Sequence, residues 1–129
     1  MRHALLALLL IAAPALADEN TPLDLSKFDP AEVKDFLGKY RVSDETGKRH
    51  CNVILSREET IGGMVIDVSP NCAKIFPAMA DVAAWRPYDG WQIVFADATR
   101  HEMIRFTTPD NAYVAMQNVN GIFTIEKRP

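Results

Sequence analysis

Few residues in this chain could run a reaction. Its three histidines are His3, His50 and His101. His50 directly precedes Cys51, and His101 opens a strand-like run beside a turn. Either could act as a metal ligand or general base, although an exposed histidine at a strand end is the commoner case. Cys51 and Cys72 are the only cysteines. In an oxidising compartment such a pair is most simply one disulfide, and closing that loop would stabilise the fold by about 3 kcal/mol in the chain-entropy picture. The alternatives are a thiol nucleophile or half of a metal site, but no Cys-x-x-Cys and no His-rich tract accompanies them. The sequence contains no Gly-x-Ser-x-Gly elbow, no His-Glu-x-x-His and no phosphate-cradling glycine loop. Gly62-Gly63 is a bare pair that reads as a bend or bulge. Glu58-Glu59 sit among turn residues and read as solvation, and Trp85 and Trp91 as core or rim packing. No constellation supports an enzyme, and no cofactor or metal of the protein's own is expected.

Export is written at the amino terminus. Met1-Arg2-His3 supplies positive charge, Ala4 to Ala13 is an unbroken apolar run, Pro14 interrupts it, and Ala15-Leu16-Ala17 is a small-x-small cleavage site followed by Asp18-Glu19-Asn20. That order defines a secretory signal over residues 1–17. The run is shorter than the roughly 20 residues that span a bilayer. No Cys stands immediately after the cleavage site, so no lipid-anchor acceptor is seen and a soluble periplasmic, or secreted, product is expected. Cleavage leaves 112 residues (129 − 17), enough for one domain. It also removes Arg2, leaving 13 Lys+Arg against 17 Asp+Glu. An acidic balance argues against nucleic acid, whose binding rests on neutralising phosphates, and against anionic membrane surfaces.

Residues 18–30 form an arm, and 31–129 the folded domain. Asp18 to Asp29 is polar, carries Pro22, scatters Leu23, Leu25 and Phe28, and holds no sustained period, so it reads as extended or mobile. Asp29-Pro30-Ala31-Glu32 has the chemistry of a helix start: a capping Asp, Pro at the first helical position, and Glu at the capping-box position. Val33, Phe36 and Leu37 give an apolar stripe at helical spacing, and Gly38 ends it, which predicts about two turns. From there the pattern is β. Eight strands are expected at Lys39–Val42, Cys51–Ser56, Gly63–Val68, Val82–Arg86, Trp91–Ala96, Glu102–Phe106, Ala112–Gln117 and Ile122–Lys127. Glu45-Thr46-Gly47, Asp89-Gly90, Asp97-Ala98, Pro109-Asp110-Asn111 and Asn120-Gly121 punctuate them with turn chemistry. Cys51, Val53 and Leu55 share one face, as do Trp91, Ile93 and Phe95, and Phe123 and Ile125. Apolar faces on many short antiparallel strands must cover one another, which a closed barrel does without leaving edges. Cys72–Met79 does not alternate and reads as a helical turn crossing one barrel end.

A small exported barrel without reaction chemistry binds something. Its mouth can hold a small apolar ligand, or its rigid body can present an extended arm to a protein cleft at low ordering cost.

The order Gly38-Lys39-Tyr40, Cys51-Asn52-Val53-Ile54-Leu55, Cys72, Ala84-Trp85-Arg86-Pro87, Asp89-Gly90, a hydrophobic strand and Asp97 at a turn resembles the bacterial metalloprotease inhibitors that act on serralysin-type (alkaline protease) secreted enzymes. Tyr40 stands where that family usually has Trp. The likeness covers roughly residues 31–127. It implies an all-β, eight-stranded antiparallel, lipocalin-like barrel with one disulfide, a short N-terminal helix and an extended arm. It also implies a partner, a secreted zinc metalloprotease, met by a monomer. In that family the residues before the barrel enter the active-site cleft, and the free amino terminus approaches the protease's zinc. Carried over, the protease-binding residues are Asp18, Glu19, Asn20, Thr21, Pro22, Leu23 and Leu25. The α-amino group of Asp18 faces the metal, and Leu23 and Leu25 are candidates for substrate pockets. An amine with a pKa near 8 gives up its proton to zinc readily. A periplasmic barrel holding a small apolar ligand is the alternative.

Overall fold

The computed structural model describes residues 21–129. The expected signal segment, residues 1–17, lies outside them.

Asp29 caps helix α1 (Pro30–Phe36) by accepting from the Ala31 N–H at 2.9 Å. Proline at N1 and Glu32 in the first turn complete the start, and Gly38, at φ +119°, leads the chain out. α1 buries Val33 and Phe36. Its C-terminal carbonyls are held from below: the Tyr40 hydroxyl donates to Phe36 O (2.9 Å) and Asp35 O (3.1 Å). Tyr40 is fully buried, and that burial pushes its phenol pKa well above the ordinary value.

Eight strands follow, β1 (Gly38–Asp44), β2 (His50–Thr60), β3 (Gly63–Val68), β4 (Ala84–Tyr88), β5 (Gln92–Ala96), β6 (Glu102–Thr107), β7 (Tyr113–Ala115) and β8 (Ile122–Lys127). Each pairs antiparallel with the next, and β8 closes on β1, so the sheet is a complete up-and-down barrel. The expected fold class is the observed one. Inward residues fill the lumen: Tyr40, Val53, Trp85, Phe95, Phe106 and Ile125 are all buried, with Phe95 and Phe106 edge to face at 5.1 Å. The β3–β4 connection forms α2 (Cys72–Ile75) and a 3₁₀ turn (Pro77–Asp81), the expected non-alternating segment. It contributes Phe76 and Met79 to the core and is tied to the β7–β8 connection by the Ala78 N–H bond to Asn120 Oδ1 (2.7 Å). The Cys51–Cys72 disulfide joins β2 to α2, with Cα atoms 5.2 Å apart.

Several expectations need correction. β2 runs on through Arg57–Thr60, so Glu58 and Glu59 belong to a strand rather than a turn; both remain exposed. β4 begins at Ala84, because Val82 still terminates the 3₁₀ turn, and it continues through Pro87 to Tyr88. Proline is tolerated there because the β3 side of β4 is nearly unpaired: Met64↔Trp85 is the one matched position. β7 shrinks to three residues, the connection after it taking Met116 and Gln117. Trp91 does not share a strand face with Ile93 and Phe95. It sits in the β4–β5 turn at φ +58°, 45% exposed, stacked on Phe36 at 4.8 Å. Phe123 does not share a face with Ile125. The β1–β8 register passes from Ser43↔Thr124 to Asp44↔Ile122, so Phe123 is the extra residue of a bulge, turned outward while Ile122 and Ile125 are buried. Asn120-Gly121 forms its turn, both at positive φ with Ile122 N–H bonded to Val119 O at 2.9 Å, but within a longer β7–β8 connection rather than a tight hairpin.

Candidate functional site

The arm does not stand clear of the barrel over its described length. Leu23 donates its N–H to Pro87 O at 2.9 Å. A strand residue's N and O face the same neighbour. The missing N–H of Pro87 therefore lies on the same side as the carbonyl that receives the arm, where β4 has no strand ladder to lose. Asp24 then caps a 3₁₀ turn over Leu25–Lys27, accepting from Ser26 N (3.0 Å) and Ser26 Oγ (2.6 Å). Those two bonds hold its carboxyl below the usual carboxylate range. Leu25 is 5% exposed and belongs to the same apolar cluster as Trp85 and Phe36. Backbone pairing, a cap and a buried leucine thus pin the arm from Leu23 onward. The expectation of an extended or mobile arm gives way over Leu25–Lys27, where the local Asp-x-Ser bonding supplies a turn.

Beside the pinned segment runs an open groove of about 580 Å³, lined by Pro22, Leu25, Arg57, Gly63, Trp85 and Arg86 among others. Gly63 sits at φ +152°, and a Cβ there would overlap the Trp85 carbonyl oxygen and Arg86 Cγ, so the β2–β3 turn lies directly on β4. Trp85 is fully buried and its indole N–H donates to Ser56 O at 2.9 Å. Arg86 Nη1 donates to Arg100 O (3.1 Å) and Gly62 O (3.4 Å), stitching the β2–β3 turn to the β5–β6 connection. On the outer face of β4 to β6, Arg105 lies over the Tyr88 ring at 4.3 Å and is paired to Glu102 at 2.6 Å. Its stem and that of Arg86 flank Val94, which is why β5 is buried on both faces.

The candidate arm residues fall into three groups. Asp18, Glu19 and Asn20 lie outside the described residues. Thr21 and Pro22 are exposed, and Pro22 lines the groove. Leu23 is half-buried and Leu25 buried against the protein's own barrel. Cys51 and Cys72 are the disulfide. His50 and His101 are exposed, the latter bonded through Nδ1 to Thr99 Oγ1 at 2.6 Å in its turn. Among the described residues no group of three His, Cys, Asp or Glu is placed to hold a metal ion. The sequence carries no local sign of the groove: Arg86-Pro87 is a motif, but nothing near it marks Pro87 as the arm's acceptor or Arg57 and Arg100 as neighbours of Arg86.

A family model described as protease inhibitor Inh matches residues 30–127, from the first residue of α1 to the last of β8. The arm lies outside the matched segment. No curated protein and no solved structure matches the chain.

Proposed function

Since this chain belongs to the Inh family of protease inhibitors, we propose that it inhibits secreted, serralysin-type zinc metalloproteases by inserting its N-terminal arm into the active-site cleft. Export to the periplasm and action as a monomer are part of the same proposal. The observation that carries it is the anchorage of the arm. A cleft-filling segment must be short, extended and held by a rigid base, because every residue left loose costs ordering free energy on binding. Here the base is the Leu23–Pro87 hydrogen bond and buried Leu25. Residues 18–22 precede that base, an extended reach of about 17 Å. That length would deliver the α-amino group of Asp18 to a zinc ion at the bottom of a cleft while the barrel stops at its rim. Leu25, already buried, stays with the base, which leaves Asp18, Glu19, Asn20, Thr21 and Pro22 as the inserting residues and Leu23 at the rim.

The packed lumen disfavours the small-ligand reading. Of the side chains that fill the barrel, Trp85 borders the groove, while Tyr40, Val53, Phe95, Phe106 and Ile125 line neither the groove nor the shallow hollow beside Met116 and Phe123. The test is a titration of the mature protein, its amino terminus checked by mass, against a serralysin-type enzyme. Stoichiometric loss of activity is expected, abolished when residues 18–22 are removed and with the melting temperature unchanged. No inhibition at micromolar excess would refute the proposal.

A further inference from the structure

Six large apolar side chains are exposed among the described residues, and Trp91 alone of them sits at positive φ. In the β4–β5 turn Gly90 is at φ +75° and Trp91 at φ +58°. Two successive left-handed residues ordinarily require Asn or Gly at both places, because a bulky side chain is strained there. The turn therefore holds an indole against its backbone preference. Inside the molecule the return is one stack: the ring lies on Phe36 at 4.8 Å and 23°, and Phe36 leans on Trp85 at 6.4 Å. The indole is still 45% exposed, while Phe36 and Trp85 beneath it are buried. Strain of this kind gathers where a side chain has to be presented to a ligand.

The turn stands at the arm's base. Pro87, which accepts the Leu23 N–H, precedes Trp91 by four residues, so the two lie within about 14 Å of each other. Leu25 joins the apolar cluster that contains Phe36 and Trp85. A standard protein–protein interface takes about 800 Å² of each partner, a disc of about 16 Å radius. One centred on the arm's base reaches Trp91. Such an interface also uses about 20–30 residues a side, so a short arm alone does not fill it and the barrel has to supply the rest. A tryptophan already stacked loses little freedom on being covered, and tryptophan is enriched among the residues that dominate binding energy.

We propose that Trp91 is the barrel's principal contact with the target protease, packing on an apolar patch at the rim of the cleft that the arm enters. Resting on the inhibitor reading, this contact belongs to the barrel rather than to the arm. The mature protein is labelled with 5-fluorotryptophan, which enters at Trp85 and Trp91 only, and Trp91→Phe assigns the two fluorine signals. An unlabelled serralysin-type protease is added to saturation, and each signal is compared in H₂O and D₂O. Trp91 is expected to lose its solvent isotope shift, while Trp85, buried already, shows no change. Trp91→Gly places in the turn a residue that suits its φ. The inhibition constant of this variant should rise about 30-fold, the size of a hot-spot truncation, through faster dissociation and with little change in melting temperature. Stoichiometric inhibition by a parent whose Trp91 keeps its isotope shift would overturn the contact and leave the arm's role standing. So would a Trp91→Gly variant that inhibits as tightly as the parent. A parent that neither inhibits nor changes at Trp91 would overturn the inhibitor reading and the contact together. If Trp91→Gly is destabilised, the isotope shift in the parent still decides.

Discussion

Leu25→Ala separates the arm's anchor from the barrel's own stability. The leucine is 5% exposed, so the substitution removes close to a full side chain of burial. Large-to-small changes of this kind cost about 2–5 kcal/mol, with the low end expected where surroundings can collapse, as beside an open groove. The remaining arm contacts are the half-buried Leu23 and its N–H bond to Pro87 O, a bond worth about 1 kcal/mol. A loss of about 2 kcal/mol is therefore most of what holds the arm. The arm should open locally while the barrel stays closed. Native-state hydrogen exchange reads this directly. Protection of the Leu23 amide should fall about 30-fold, the factor equivalent to 2 kcal/mol, and the amides of Val94 and Phe95 in β5 should keep theirs. A uniform fall across the barrel would show that Leu25 is ordinary core, and an unchanged Leu23 amide would show that the arm is held by something else. Under the inhibitor proposal, the same variant should weaken inhibition by a similar factor, because the loosened arm must be ordered on binding.

Three further outcomes follow from the geometry. Replacing both Cys51 and Cys72 by Ala frees the loop between β2 and α2; about 3 kcal/mol should be lost, a drop in melting temperature of about 12–15 °C by calorimetry. Asp97 accepts from the Thr99 hydroxyl first, then from the His101 and Thr99 amides, and these bonds lower its carboxyl pKa. A depressed carboxylate contributes stability above its unfolded pKa, near 3.9, that is lost as pH falls through the lower folded value. Asp97→Ala should then be less stable than the parent in urea titrations at pH 7, with the gap narrowing as pH falls below about 3.9. Gly63→Ala would drive a methyl into the Trp85 carbonyl at a φ that side chains avoid, so the β3–β4 seam should open, seen as a red shift and stronger quenching of Trp85 emission.

The sequence by itself settled what depends on neighbours along the chain. Asp29-Pro30 starting a helix, Gly38 ending it, the Asn120-Gly121 turn and the buried face of Cys51, Val53 and Leu55 are all encoded within a few residues, because capping, positive φ and strand alternation are local physics. Counting such runs gave eight strands, and the need to cover their apolar faces gave closure. Position within the barrel was another matter. Phe123 turned outward and Trp91 moved into a turn because a bulge and a left-handed residue shift register, and alternation alone carries no sign of either. The arm looked unanchored because its partners, the Pro87 carbonyl and the Trp85 cluster, lie far along the chain. Arg57, Arg86 and Arg100 stand on different elements, and nothing within their own segments marks them as neighbours. Only the closed barrel, with its β2–β3 turn laid across β4 by a glycine that leaves no room for a side chain, brings those three charges around one groove and sets the arm beside them.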